Sequence, residues 1–238
     1  MRQHIDTIPV WEVYRSDCEC PLCQLEETNE HNYVDSFMGG SVMEPDVRVE
    51  VNQKGFCGRH FKLMLANNNR LGVALMAHTY LKQTMARLGE TSMAVNELQG
   101  RGGLFGRRTQ VTNSGLKEIA SSCILCDRLK NTMDRYLYTV VYMWKHEPAF
   151  KQALQNSKGL CLKHFEQLIE AAPEQLNGIE LKSFTDMLTK LELANMARLE
   201  KEIEWFTLKF DHKNADKPWG TSKDSLDRTV LKLRGKCV

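Results

Sequence analysis

The sequence predicts an all-α fold built from two copies of one helical module, and three observations predict it. A block reading Cys20-Pro-Leu-Cys23, then Lys54-Gly-Phe-Cys57-Gly-Arg-His60-Phe61, returns as Cys123-Ile-Leu-Cys126, then Lys158-Gly-Leu-Cys161-Leu-Lys-His164-Phe165. The thiol pairs begin 103 residues apart, and Cys23–Cys57 and Cys126–Cys161 are separated by 34 and 35 residues. Chance does not align Lys, Gly, an apolar residue, Cys, His and Phe twice in one order, so the chain carries an internal duplication. Apolar residues recur at helical spacing over most of the remainder. Alternation of period two is almost absent: Val47-Arg-Val-Glu-Val51 is the single, short strand candidate.

Taken in order, Pro21 suits a first helical turn, and Leu22, Leu25, Tyr33 and Phe37 continue a helix that Gly39-Gly40 stops. A short helix is expected at 57–68 and a long one over roughly 70–98. In the second copy Leu125, Leu129, Met133, Tyr136, Leu137, Val140, Val141 and Trp144 form one stripe, which Pro148 interrupts. A short helix at 159–171 and a long one over roughly 174–210 follow. Gln99-Gly-Arg-Gly-Gly-Leu-Phe-Gly-Arg-Arg108 reads as a flexible connector. The expected organisation is a first module and long helix at 1–98, a Gly/Arg linker at 99–110, a second module and long helix at 111–210, and a polar loop with a C-terminal helix at 211–238.

The repeated cysteines and histidines point to metal. Zinc takes four thiolate or imidazole ligands in a tetrahedron. A CxxC turn brings two sulfurs to one ion, and a CxxH at a helix start adds a sulfur and a nitrogen. The expectation is two structural zinc ions per chain, one on Cys20, Cys23, Cys57 and His60, the other on Cys123, Cys126, Cys161 and His164. Iron–sulfur ligation and redox-active thiol pairs are the alternatives. The connecting lengths exceed those of common zinc fingers. Gly55 and Gly159 stand where a tight turn is needed. Phe61 and Phe165 are expected to pack against the sites, and Arg59, Lys62 and Lys163 to offset their charge. Cys18 lies close enough to substitute for Cys20, but the second copy has Ser121 at its place, which marks Cys18 as spare; Cys237 reads as a free tail thiol.

Among 238 residues, 42% are hydrophobic and 26% charged, a soluble balance with enough apolar mass for a core. No apolar run approaches a membrane span, and the first residues lack the apolar stretch of a secretory signal, so the expected location is cytoplasmic without membrane association. Eight cysteines there are metal ligands sooner than a disulfide framework. Three thiolates and one Zn²⁺ leave each filled site one unit negative, which takes the formal charge of +2 to about 0. Nucleic-acid binding through Arg101, Arg107 and Arg108 is therefore not favoured.

Asp211-His-Lys-Asn-Ala-Asp-Lys-Pro-Trp-Gly-Thr-Ser-Lys-Asp-Ser225 is polar, holds one large aromatic and precedes a short amphipathic segment. It is expected to be a loop anchored by Trp219 with His212 exposed. The competing reading is a ligand or catalytic site of Asp211, His212, Asn214 and Trp219.

With these motifs the chain resembles a family of uncharacterised bacterial and archaeal proteins, in which paired CxxC and GxCxxH modules precede a PWG segment. The resemblance spans roughly residues 5–234. It implies metal ligation by the eight residues named above and draws attention to Pro218-Trp219-Gly220; it implies no activity. The functional expectation is a zinc-stabilised helical protein with an interaction or regulatory role toward an unidentified protein. Whether it is an enzyme is left open, the polar C-terminal loop being the place where catalysis would reside.

Overall fold

The computed structural model describes residues 5–100 and 119–236, side chains of 91–100 excepted, and every regular element within them is helical. The helices whose bounds lie within the described residues are α1 (Thr7–Arg15), α2 (Pro21–Met38), α3 (Pro45–Lys54), α4 (Gly58–Ala66), α5 (Arg70–Gly100), α6 (Ile124–His146), α7 (Pro148–Gln155), α8 (Leu162–Ala171), α9 (Gly178–Leu208) and α10 (Ser225–Arg234), and residues 119–121 are helical as well. The duplication is visible as α2-α3-α4-α5 repeated by α6-α7-α8-α9, with α5 and α9 each 31 residues long. Gly39-Gly40 and Pro148 end the helices before them, as their backbone chemistry dictates.

One segment departs from expectation. Val47–Val51 is not a strand but part of α3, which begins with Pro45 in its first turn. Val47 and Val51 are buried while Val49 is 54% exposed. In a strand all three would share a face; at helical spacing the first and last do, and the middle one points away. The aligned Pro148 opens α7 in the same way.

The chain forms two compact units, Met1–Thr28 with Asn131–Val238, and Asn29–Lys130. These boundaries fall inside α2 and α6. Of the expected linker, residues 99 and 100 end α5, while Arg101, Arg107 and Arg108 lie outside the described residues, as does Cys237.

In the 29–130 unit, Phe37, Val51, Met64 and Met76 are fully buried around Phe56, whose ring meets Phe37 and Phe61 edge-on at 5.6 and 5.4 Å. α5 packs on α3 and α4. In the other unit, α1 packs on α7, with Phe150 between Trp11 and Tyr14, and α9 packs on α10.

The C-terminal loop is held from within. Lys209, at the end of α9, is buried, and its Nζ donates to the carbonyls of Asn214, Ala215 and Lys217 at 2.7, 2.8 and 2.5 Å. Trp219 is half-buried, its ring 5.6 Å from that of Phe206 and 5.2 Å from the Lys209 ammonium. Trp205 Nε1 donates to the Pro218 carbonyl at 3.1 Å. One ammonium thus satisfies three loop carbonyls that point inward, and the tryptophan covers it. Charge-assisted hydrogen bonds of this kind outweigh neutral ones. Lys209→Met is expected to lower stability by about 2 kcal/mol with metal content unchanged. Exposed Lys213→Met should move the urea midpoint hardly at all. Equal midpoints for the two variants would show that the ammonium does not hold the loop.

Candidate metal centres

All four ligand pairs occupy the same local position. Cys57 and Cys161 are the N-caps of α4 and α8, and the histidines follow in the third helical position. Cys20 and Cys123 immediately precede α2 and α6, with Cys23 and Cys126 in the third position. The N-cap and third residue lie on one face of a first turn, so both side chains converge on one point. Helix N-termini also carry free backbone N–H groups and partial positive charge, which favour thiolate.

The eight residues gather into two groups, but not in the sequential pairing. Cys20 and Cys23 join Cys161 and His164; Cys57 and His60 join Cys123 and Cys126. Each group combines the CxxC of one repeat with the CxxH of the other. The reason is the path of α2 and α6: α2 carries the chain out of the first unit before Cys57 is reached, and α6 carries it back before Cys161. The expected sets Cys20-Cys23-Cys57-His60 and Cys123-Cys126-Cys161-His164 are therefore replaced by crossed ones. Cys18 belongs to neither group; its Sγ lies 3.5 Å from Ser16 Oγ.

In each group the donor atoms lie within 4.8 Å of one another. His164 Nδ1 is 3.4, 3.4 and 3.2 Å from the sulfurs of Cys20, Cys23 and Cys161, and Cys23 Sγ is 3.5 Å from Cys161 Sγ. His60 Nδ1 is 3.2, 3.2 and 3.4 Å from Cys57, Cys123 and Cys126, and the Cys57 and Cys126 sulfurs are 3.8 Å apart. Such spacing leaves room for one ion and none for a cluster of several metal atoms. All the described cysteines are free thiols.

The other imidazole nitrogen meets a carboxylate in both groups. His60 Nε2 is 3.0 Å from Glu30, and His164 Nε2 is 3.4 Å from Glu26. The residue before each histidine holds the same carboxylate: Arg59 meets Glu30 and Lys163 meets Glu26, both at 2.6 Å. In a neutral, metal-binding ring a carboxylate on Nε2 would keep the proton there and leave the Nδ1 lone pair on the side of the sulfurs. Burial pushes the Glu26 carboxyl up, but His164 and Lys163 prevail and hold it at about 2. Glu26 and Glu30 both come from α2, and sequence reasoning did not single them out. Arg59 and Lys163 pair with these carboxylates.

Without a cation, the protons of each group are shared unevenly among its donors. Hydrogen bonds from Cys20 and Cys23 hold the Cys161 thiol far below its usual range. Burial opposes a charged His164, but hydrogen bonds to Cys161, Cys23 and Glu26 raise it to about 11. In the other group burial raises Cys57, yet the backbone N–H groups of His60 and Arg59, with Cys126 and Cys123, bring it below its usual value. Burial pushes the Cys20, Cys123 and Cys126 thiols up. One acidic thiol per group sits at the N-cap of the CxxH helix, and binding a cation would displace the remaining protons.

The turns before Cys57 and Cys161 need glycine. Gly55 has φ 63° and ψ −157°, a region that only glycine occupies readily, and a Cβ there would lie 2.2 Å from the Tyr80 ring. A Cβ on Gly159 would lie 2.5 Å from Glu192 Oε2. Around these turns the repeats diverge. In the 29–130 unit Ser122 Oγ donates to the Lys54 carbonyl at 2.7 Å, joining the two ligand loops directly. In the other unit Glu19 takes the place of Ser122, and Lys232 of α10 supplies the missing donor. Its Nζ reaches the carbonyls of Glu19 and Lys158 at 3.0 and 2.6 Å and Glu192 at 3.3 Å. Glu192 also accepts from the Leu160 N–H at 2.8 Å. Glu19 itself is buried and meets Arg198 at 2.6 Å and Arg228 at 3.2 Å.

Residues of the alternative catalytic reading are engaged locally. Asp211 caps the Lys213 N–H at 3.0 Å and meets His212 at 3.1 Å; His212 is exposed, and Asn214 Nδ2 donates to the Leu208 carbonyl at 2.9 Å. Phe61 and Phe165 are half-buried.

The chain belongs to a family of unknown function, DUF6062, which it matches over residues 1–238. It is 20% identical over 194 residues to an uncharacterized 23.9 kDa protein encoded in the xynA 3′ region of Caldicellulosiruptor sp. (strain Rt8B.4), covering 82% of this chain and 86% of that protein. No solved structure matches.

The ion pair of Lys232 with Glu192 gives a test of how the Cys161 turn is held. Lys232→Met strands a buried carboxylate and should cost about 3–5 kcal/mol. Adding Glu192→Gln removes the stranded charge while leaving an acceptor for Leu160, and should restore part of that loss in urea unfolding. A double variant no more stable than Lys232→Met would show that the pair is not a coupled ion pair.

Proposed function

We propose that this is a zinc-stabilised helical protein, in which two structural zinc ions hold the N-termini of four helices together and the role is one of interaction or regulation through the surfaces so fixed. The observation that carries it is the pair of closed Cys₃His sets, each histidine oriented by its own carboxylate. Zinc bonds of about 2.3 Å to sulfur and 2.0 Å to nitrogen give tetrahedral edges of roughly 3.8 Å between sulfurs and 3.5 Å between sulfur and nitrogen. The observed 3.5 and 3.8 Å, and 3.2 to 3.4 Å, lie close to these. Three thiolates with one imidazole favour zinc over harder cations. Four protein donors fill a structural zinc shell, so no ligand position remains for a substrate; the metal's contribution is to folding.

Protein purified under reducing conditions should contain two zinc ions per chain. Paired substitutions then report the ligand sets. Cys20→Ser with His164→Ala should remove one zinc and leave the other, whereas Cys20→Ser with His60→Ala should remove both. Sequential sets would give the reverse. Iron in place of zinc, or no metal at all, would overturn the zinc reading. Structural zinc contributes on the order of 10–16 kcal/mol in small peptides. Chelation should therefore abolish the near-ultraviolet circular dichroism of the aromatic core.

A further inference from the structure

The two centres differ in what covers them. Cys20, Cys23, Cys161 and His164 are all buried, whereas in the other group Cys126 is exposed and Cys57 partly so. The aligned partners of these two, Cys23 and Cys161, are 3% and 0% exposed. The cover over Cys23 and Cys161 is the end of α10: a Cβ on Gly235 would lie 3.6 Å from Cys161 Sγ and 3.9 Å from Cys23 Sγ. Lys232 fastens that helix to both ligand loops. A cleft of about 320 Å³ is lined by Cys18, Cys20 and Cys23, but Cys18 stands partly exposed while the two ligand cysteines stay buried.

We propose that Cys126 is a modification site for soft electrophiles, and that its alkylation releases the metal of the Cys57-His60-Cys123-Cys126 centre while the other centre keeps its own. The inference rests on both centres holding zinc. Thiolate bound to zinc remains nucleophilic, and access to the sulfur decides which one reacts. With a maleimide, the Cys126 sulfur adds to the ring double bond. A carbon–sulfur bond forms, the resulting carbanion takes a proton from water, and the zinc–sulfur bond is lost. The thioether left behind is a poor zinc donor, so the ion, held by Cys57, Cys123 and His60, passes to a competing chelator. Natural reagents of the same class are α,β-unsaturated carbonyl compounds. Cys57, the next most accessible thiolate, reacts second.

The experiment is to treat zinc-loaded, full-length protein with N-ethylmaleimide in the presence of a chromogenic zinc chelator, and to map labelled cysteines by mass spectrometry at timed intervals. One zinc per chain should appear at least roughly tenfold faster than the second, in step with labelling of Cys126 and then Cys57. Labelling of Cys18 should release no zinc, since it belongs to neither ligand group. Cys126→Ser should bind one zinc and lack the fast phase. Release of both ions in one phase, early labelling of Cys23 or Cys161, or retention of both ions after Cys126 is labelled would each overturn the proposal. Protein that carries no zinc at the outset would instead refute the metal reading on which it rests.

Discussion

The structure depends on the meeting of two helix N-termini around three thiols and one imidazole, twice over. A cysteine at the N-cap and a cysteine or histidine in the third position place two donors side by side on a first turn. Two such turns facing each other give four donors within a few ångströms, with the positive ends of both helices directed at the sulfurs. Without a cation, the donors hold a thiolate and protons that must be kept close together in a buried place. With one, the same atoms become a cross-link. The glycines at 55 and 159, the carboxylates at 26 and 30 and the basic residues at 59 and 163 all serve this geometry, by setting the turn or the imidazole.

Within that shared plan the repeats fasten their ligand loops by different means. Ser122 joins its loop to Lys54 with a single hydroxyl, and the Tyr80 ring fills the space over Gly55. Where the unit of residues 1–28 and 131–238 has Glu19 in place of that serine, the hydroxyl is gone and Glu192 occupies the space over Gly159. A buried ammonium resolves both problems, since Lys232 donates to two loop carbonyls and neutralises Glu192. Burial alone would favour the protonated carboxyl of Glu192, and it does raise it. The lysine makes the charged form tolerable. Because that lysine belongs to α10, this helix becomes part of the surroundings of one candidate centre.

Much of this could be read from the residues. The eight residues that gather into the two groups, the helical class, the stops at Gly39-Gly40 and Pro148, and the exclusion of Cys18 all followed from local chemistry or from aligning the repeats. The crossed pairing did not, and the reason is specific: spacings of 34 and 35 residues are the same whether a CxxC meets the CxxH of its own repeat or of the other. Only the direction taken by α2 and α6 decides, and that is set by packing. The Val47–Val51 segment alternates like a strand, yet its alignment with the Pro148 helix held the correction within the sequence itself. Lys209, Glu192 and Lys232 were illegible for another reason. A charged residue on a helix gives no sign that it is buried until the elements around it are placed.

Crossing the ligand sets has a consequence for how the chain closes. Linking Cys23 with Cys161 spans 138 residues and linking Cys57 with Cys126 spans 69, the second loop lying wholly inside the first. Sequential sets would have closed loops of 34 and 35 residues. Each doubling of loop length costs only about 0.6 kcal/mol in closure entropy. The outer loop, four times the sequential length, therefore loses about 1 kcal/mol, and the inner one about half that. Once the inner centre has formed, it closes 69 of the 138 residues of the outer loop, and the penalty shrinks further. Against metal binding worth on the order of 10 kcal/mol per structural site, the difference is minor. Chain entropy thus gives local pairing no decisive advantage, and the helices are free to pair their N-termini as their apolar faces require.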